Sequence, residues 1–342
     1  MSDIAAPTIA DRLRKRVQSV RVVFPGLLAA ATVAMAATFL SDHYGGPVML
    51  FALLLGIAFQ FLSQEGRCGP GIEMAARNVL RLGVALLGAR ITIEQIMSLG
   101  IAPMFAVIAA VILTVVFGAV ASRALGLGSK FGVLSGGAVA ICGASAALAI
   151  SSILPQDKRS ERDTIFTVIA VTTLSTIAMI VYPIIVALFE MDTVDAGFFL
   201  GGTIHDVAQV VGAGYSVSEQ TGDISTFTKL LRVAMLLPIV FALSLLFRAR
   251  SETGKKAKVP FQGFLFAFAA LVAINSLGAI PEPLRLGMVE VSRWCLVIAI
   301  AALGMKTSLQ ALAQVGVRSI GLIVGQTVFL AVLILGLIFF VL

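Results

Sequence analysis

From Val22 onward the sequence is a succession of apolar runs, each about as long as a lipid hydrocarbon layer is thick, parted by short charged clusters. A helix needs about 20 apolar residues, at ~1.5 Å rise each, to cross such a layer. The runs fall at Val22–Ser41, Tyr44–Gln64, Asn78–Ala89, Gln95–Ser122, Phe131–Gln156, Thr164–Phe189, Ala196–Ser216, Phe227–Phe247, Val259–Ile280, Leu286–Met305 and Ser319–Leu342. Composition agrees: 59% of residues are hydrophobic and 13% charged, with mean hydropathy +1.03, where soluble domains carry about 25% charge. An ordinary soluble enzyme is excluded, and the predicted class is an all-α integral membrane protein. The net charge of +7 sits beside apolar spans, where basic residues set topology, so no nucleic-acid partner is needed. Cys68, Cys142 and Cys295 have neither zinc nor disulfide spacing.

Residues 1–21 read as a cytoplasmic tail, held inside by Arg12, Arg14, Lys15 and Arg16, and the run from Val22 as a retained helix. Eleven simple crossings would then put the basic cluster Asp157–Asp163 outside, against the positive-inside bias. The conflict disappears if segments 131–156 and 196–218 enter and return on the same side. Nine crossings remain, so about nine to eleven membrane segments are expected, two of them broken or re-entrant at the midplane. Both are glycine-rich in their middles: Gly136-Gly137 and Gly143 in the first, Gly201-Gly202, Gly212 and Gly214 in the second. Unwound backbone at membrane depth survives only in protein or against a cavity, so these breaks point to a binding site. Glycine that merely allows close helix packing is the plainer alternative.

The stretch Leu87-Gly88-Ala89-Arg90-Ile91-Thr92-Ile93 reappears as Leu303-Gly304-Met305-Lys306-Thr307-Ser308-Leu309, with Arg77 falling on Arg293. In the nine-crossing topology the copies run in opposite senses. The expected fold is therefore an inverted-repeat helical bundle, a single transmembrane domain over 22–342 with halves of about 22–156 and 196–342. No GxxxxGK[ST] stretch is present, so transport by such a fold would draw on ion or solute gradients.

Ionisable groups within apolar spans are costly to keep and carry most functional information. Here they are Arg81, His205, Asp206, Lys229, Arg232, Glu290 and Arg293. The last two, three apart, read as a pair on one helix face. His205 and Asp206 are the candidate coupling pair for H+ or Na+, with Gln209 on the same face as His205 if the segment after Thr203 is helical. Asp206 pairing with Lys229 or Arg232 only to hold helices together is the alternative. Lys229 and Arg232 are either interfacial anchors or an anion grip. Cys142, Gly143, Ala144 and Ser145 would open a half-helix whose amides suit sulfate, sulfonate or carboxylate, with the Ser145 hydroxyl as a further donor. No HExxH or GxSxG pattern accompanies the histidines, so the chain is not expected to be an enzyme, and no bound cofactor is expected beyond a coupling ion.

The string Val79–Thr92, the Ile141–Ala146 element and Thr203–Ala213, with Lys229, Arg232 and Pro238, resemble the YeiH-like sulfate exporter family. The resemblance covers nearly the whole chain from about Val22. It implies a bacterial inner-membrane carrier, distantly like sodium/proton antiporters and bile-acid-type symporters, with helices broken at the substrate site and an oxyanion of sulfur as cargo. The partners implied are that anion, the bilayer and, for a moving core that needs a fixed neighbour, a second copy of the chain. The competing readings are a cation/proton antiporter with Asp206 as ion ligand, and a membrane scaffold or receptor without turnover.

Overall fold

The computed structural model describes residues 9–64, 66–98, 100–155, 159–248, 263–307 and 317–341. Its regular elements are helical, with no strand among the described residues. In chain order they are α1 (Ile9–Tyr44), α2 (Val48–Ala58), α3 (Phe61–Gln64), α4 (Gly69–Met74), α5 (Leu80–Leu87), α6 (Ile93–Ser98), α7 (Ala102–Ala124), α8 (Ser129–Ala140) and α9 (Ala144–Ser151). There follow α10 (Ser160–Leu188), α11 (Thr193–Thr203), α12 (Val207–Val217), α13 (Glu219–Ala234), α14 (Leu236–Arg248), α15 (Gly263–Ser276), α16 (Glu282–Lys306) and α17 (Val317–Phe340).

Among the described residues, six helical stretches are long and apolar enough to cross a membrane: Arg21–Tyr44, Ala102–Ala124, Ser160–Leu188, Glu219–Phe247, Glu282–Lys306 and Arg318–Phe340. Their outer faces are studded with large apolar side chains, among them Phe24, Val120, Phe241 and Val332. Such a surface suits lipid and not water. The chain is thus an all-α integral membrane protein. Eleven apolar windows reduce to six long helices because several are built from short pieces. Residues 66–87 form a 3-10 turn, α4, a π turn and α5 in sequence, and 131–156 and 196–218 are each split in two. The first helix already begins at Ile9, inside the stretch expected to be a tail. Residues 249–262, with the cations Arg250, Lys255, Lys256 and Lys258, and the second repeat copy from Ser308 onward lie outside the described residues.

The chain falls into two compact units. The first comprises residues up to Gly83 with Val291–Thr307. In it α1 meets α4 backbone to backbone, a Cβ on Gly26 falling 1.9 Å from the Cys68 carbonyl oxygen. Gly56 and Gly304 bring α2 and α16 together in the same way. Glu73 pairs with both Arg77 and Lys306. Glu290 and Arg293 are exposed and form no ion pair with each other; the pair near the start of this helix is Arg285 with Glu282, at 2.7 Å.

The second unit, Val84–Glu290 with Ser308–Leu342, holds both broken segments. Each folds back on itself as a helical hairpin. In the first, a Cβ on Gly137 would lie 2.2 Å from Ile150 Cδ1. Thirteen residues of continuous helix would hold the two about 20 Å apart. In the second, Gly201 and Gly214 are equally far apart in sequence, yet both press on Ser225 of α13. Added Cβ atoms there would lie 2.3 Å from its carbonyl oxygen and 2.1 Å from its Oγ. Thus α11 and α12 straddle α13, while α8 lies along α7 through Gly132, whose added Cβ would meet the Gly118 carbonyl oxygen at 2.2 Å.

Candidate functional site

A helix that stops inside a protein leaves its last carbonyls without intrahelical donors. Two do so here, α8 at Ala140 and α11 at Thr203. Both sets of carbonyls are met by cations from one helix. Arg232 Nε donates to the Ala140 oxygen at 2.8 Å, Nη2 to Val139 at 2.7 Å, and Nη1 to Gly201 at 3.1 Å and Ile204 at 3.0 Å. Lys229 Nζ donates to Ile141 at 2.7 Å and Ile204 at 2.9 Å. Lys229 is 0% and Arg232 1% exposed. Neither is an interfacial anchor. They draw the two bends together, and positive charge beside a helix C-terminus is the favourable arrangement. Of the three N–H groups on the ammonium and five on the guanidinium, one on each remains uncommitted.

The half-helices beyond the bends begin differently. Asp206 caps α12, accepting from the Ala208 amide at 3.3 Å, while its own amide donates to Ser175 Oγ at 3.0 Å. This helix therefore carries its own anion at its positive end. Gly143 caps α9 with no side chain to offer. Its φ of +60° is a conformation open chiefly to glycine. Its amide donates to Ala138 at 2.8 Å, so of the four residues singled out here Gly143 has no amide to give. Among the described residues nothing accepts from the amides of Ala144, Ser145 and Ala146. Ser145 is half-buried and its hydroxyl likewise has no described partner; Cys142 is buried and forms no disulfide.

His205 is 0% exposed, with Nε2 3.0 Å from Thr327 Oγ1 on α17. A Cβ on Gly143 would stand 3.7 Å from the His205 Cβ and 3.7 Å from Val171 of α10. Gln209, also 0% exposed, turns to α10 and donates to Thr176 Oγ1 at 3.4 Å. The helical-face argument fails for His205, because α12 starts only at Val207. His205 reaches α17 while Gln209 reaches α10. What unites the set is α10, where Val171, Ser175 and Thr176 touch Gly143, Asp206 and Gln209 within about a turn and a half. The structure does bring the expected residues of both broken segments to one place.

Three contributors carry no mark of their own in the sequence: Ser175, Thr176 and Thr327. The available signal was a Gln-Thr pair in an otherwise apolar terminal helix. Two clefts, of about 190 and 270 Å³, lie on the other side of α13, lined in common by Ile96, Val194, Ile224 and Phe227. At their rim Arg90 bridges Glu219 at 2.8 Å and Asp223 at 2.9 Å, and Tyr215 donates to Asp223 at 2.5 Å.

A family model described as Conserved hypothetical protein 698 matches residues 25–323. A UPF0324 membrane protein of Chlorobaculum tepidum is 59% identical over 92% of this chain and 88% of its own length. The UPF0324 membrane protein TauZ of Paracoccus pantotrophus is 53% identical over 91% and 93%. A UPF0324 membrane protein of Rhizobium meliloti is 50% identical over 95% and 96%. No solved structure matches the chain.

Proposed function

Because the chain belongs to the Conserved hypothetical protein 698 (UPF0324) family of membrane proteins, we propose that it is a secondary carrier. Its cargo in this reading is a small oxyanion, sulfate or an organosulfonate, moved across the bacterial inner membrane by alternating access. The observation that carries the reading is the uncapped start of α9, with three amides lacking acceptors among the described residues, beside the two buried cations. An oxyanion there would accept from the amides of Ala144, Ser145 and Ala146 and from Ser145 Oγ. It would also sit in the field of Lys229 and Arg232. A helix N-terminus favours an anion by ~0.3–1 kcal/mol when exposed and up to ~2 kcal/mol when partly buried. The self-capped α12 has no such vacancy.

Proteoliposomes loaded with unlabelled sulfate or sulfonate are expected to take up labelled sulfate or sulfonate by counterflow. Sodium-driven proton flux indifferent to any anion would reject the reading, and binding without counterflow would make the chain a receptor. Asp206, beside His205 and Gln209, is assigned to coupling with H+ or Na+. Asparagine caps helices as well as aspartate does, so Asp206→Asn should fold. Its anion exchange should persist while the dependence on pH or sodium disappears; an unchanged dependence removes Asp206 from coupling. The inner-membrane orientation has its own check. A cysteine replacing Ser160, at the start of α10, should react with an impermeant maleimide in inside-out vesicles and not in intact spheroplasts.

A further inference from the structure

Among the described residues, four buried side-chain atoms have no hydrogen-bond partner: His205 Nδ1, Gln209 Oε1, Gln326 Oε1 and Thr226 Oγ1. The bond between His205 Nε2 and the Thr327 hydroxyl takes its direction from the tautomer, so Nδ1 accepts in one neutral form of the ring and donates in the other. The two amides are simpler. Thr176 Oγ1 spends its proton on the Thr172 carbonyl at 3.1 Å, so it accepts from Gln209 Nε2 and the Gln209 oxygen is left over. Ser135 Oγ donates to Phe131 at 2.9 Å and accepts from Gln326 Nε2 at 2.9 Å, again stranding the amide oxygen. Both amide oxygens are acceptors, and a buried acceptor without a donor is costly to keep.

Resting on the oxyanion reading above, we infer that the cargo carries a hydrogen-bond donor of its own, an amino or hydroxyl group beside the sulfonate, and that Gln209 Oε1 reads it, next to His205. Sulfate and simple alkanesulfonates present acceptors only. They would satisfy the α9 amides and leave these lone pairs unmet. A donor-bearing sulfonate answers both, since Gly143 at the α9 cap stands against His205, and Asp206 and Gln209 bond the adjoining turn of α10. The charges around the pair pull in two directions. Asp206 favours an amino group, whereas Lys229 and Arg232 favour an uncharged hydroxyl.

Counterflow of 2-aminoethanesulfonate, 2-hydroxyethanesulfonate, ethanesulfonate and sulfate tests this directly. At least one of the first two is expected to exchange about tenfold or more faster than ethanesulfonate, because a site built to bond a polar group rejects the analogue that lacks it. Gln209→Met removes the acceptor at similar volume and should collapse that ratio to about threefold or less. Gln209→Glu keeps an acceptor and should keep the ratio; a purely structural role would slow all four probes alike. Ethanesulfonate exchanging as fast as both donor-bearing probes overturns the inference and leaves the oxyanion reading standing. No exchange of any of the four overturns both. Sodium alone raising the melting temperature, by an amount that Gln209→Met removes, would assign the acceptors to a cation and also overturn it.

Discussion

Arg232→Met is expected to prevent accumulation of folded protein. Methionine fills much of the same space but strands three carbonyls that now accept from the guanidinium, those of Val139, Ala140 and Gly201, while that of Ile204 keeps Lys229. A hydrogen bond to a charged group contributes ~1.5–3 kcal/mol, and an abandoned buried acceptor costs ~1–3 kcal/mol. Even half the sum is of order 5 kcal/mol, comparable with the whole stability of many domains. Arg232→Lys retains the charge without the planar fork, so it can serve one hairpin end but not both. It should fold poorly and rank between the other two. Size-exclusion profiles and melting temperatures in detergent decide the matter. A Met variant that elutes and melts within a few degrees of wild type would show that these bonds do not hold the bends.

Gly201→Val should separate the second hairpin from the helix it straddles. A Cβ at this position would sit 2.3 Å from the Ser225 carbonyl oxygen and 2.7 Å from Thr228 Cβ, so α11 has to move bodily, and a branched side chain widens the gap further. Overpacking a close-packed interior typically costs ~1–3 kcal/mol, more when the obstacle is backbone. The displacement would also carry the Gly201 and Ile204 carbonyls out of reach of Arg232. Loss of counterflow together with a lower melting temperature is expected. Gly287→Val, at a glycine of α16 with nothing within 4 Å of an added Cβ, serves as the control. Wild-type behaviour of Gly201→Val would mean that the α11–α13 contact is looser than described.

Much of this arrangement was legible in the residues. Runs of membrane length declared the fold class, and the paired glycines together with the misplaced basic cluster located both interruptions. The assignment of Lys229 and Arg232 was not legible, because their partners are main-chain oxygens that exist as unmet acceptors only once α8 and α11 have stopped. No side chain in the sequence marks such a partner. The same blindness hid Ser175 and Thr176, ordinary-looking hydroxyls among several on α10, whose value comes from what the second bend sets against them. His205 stands out with Asp206 as an ionisable pair, and Gln209 joins it only through a shared helical face that does not exist, yet the chemistry is sound: an imidazole and an amide in an apolar stretch are rarely idle. The first helix starts earlier than composition suggested, since Lys, Arg and Leu are all good helix formers whether or not a membrane surrounds them.

One ammonium group, Lys229 Nζ, holds the carbonyls of Ile141 and Ile204 at once. The bends so joined cannot part like jaws without stripping a buried cation of its ligands. Any cycle that leaves that clasp shut has to shift both as a single piece, α13 with them.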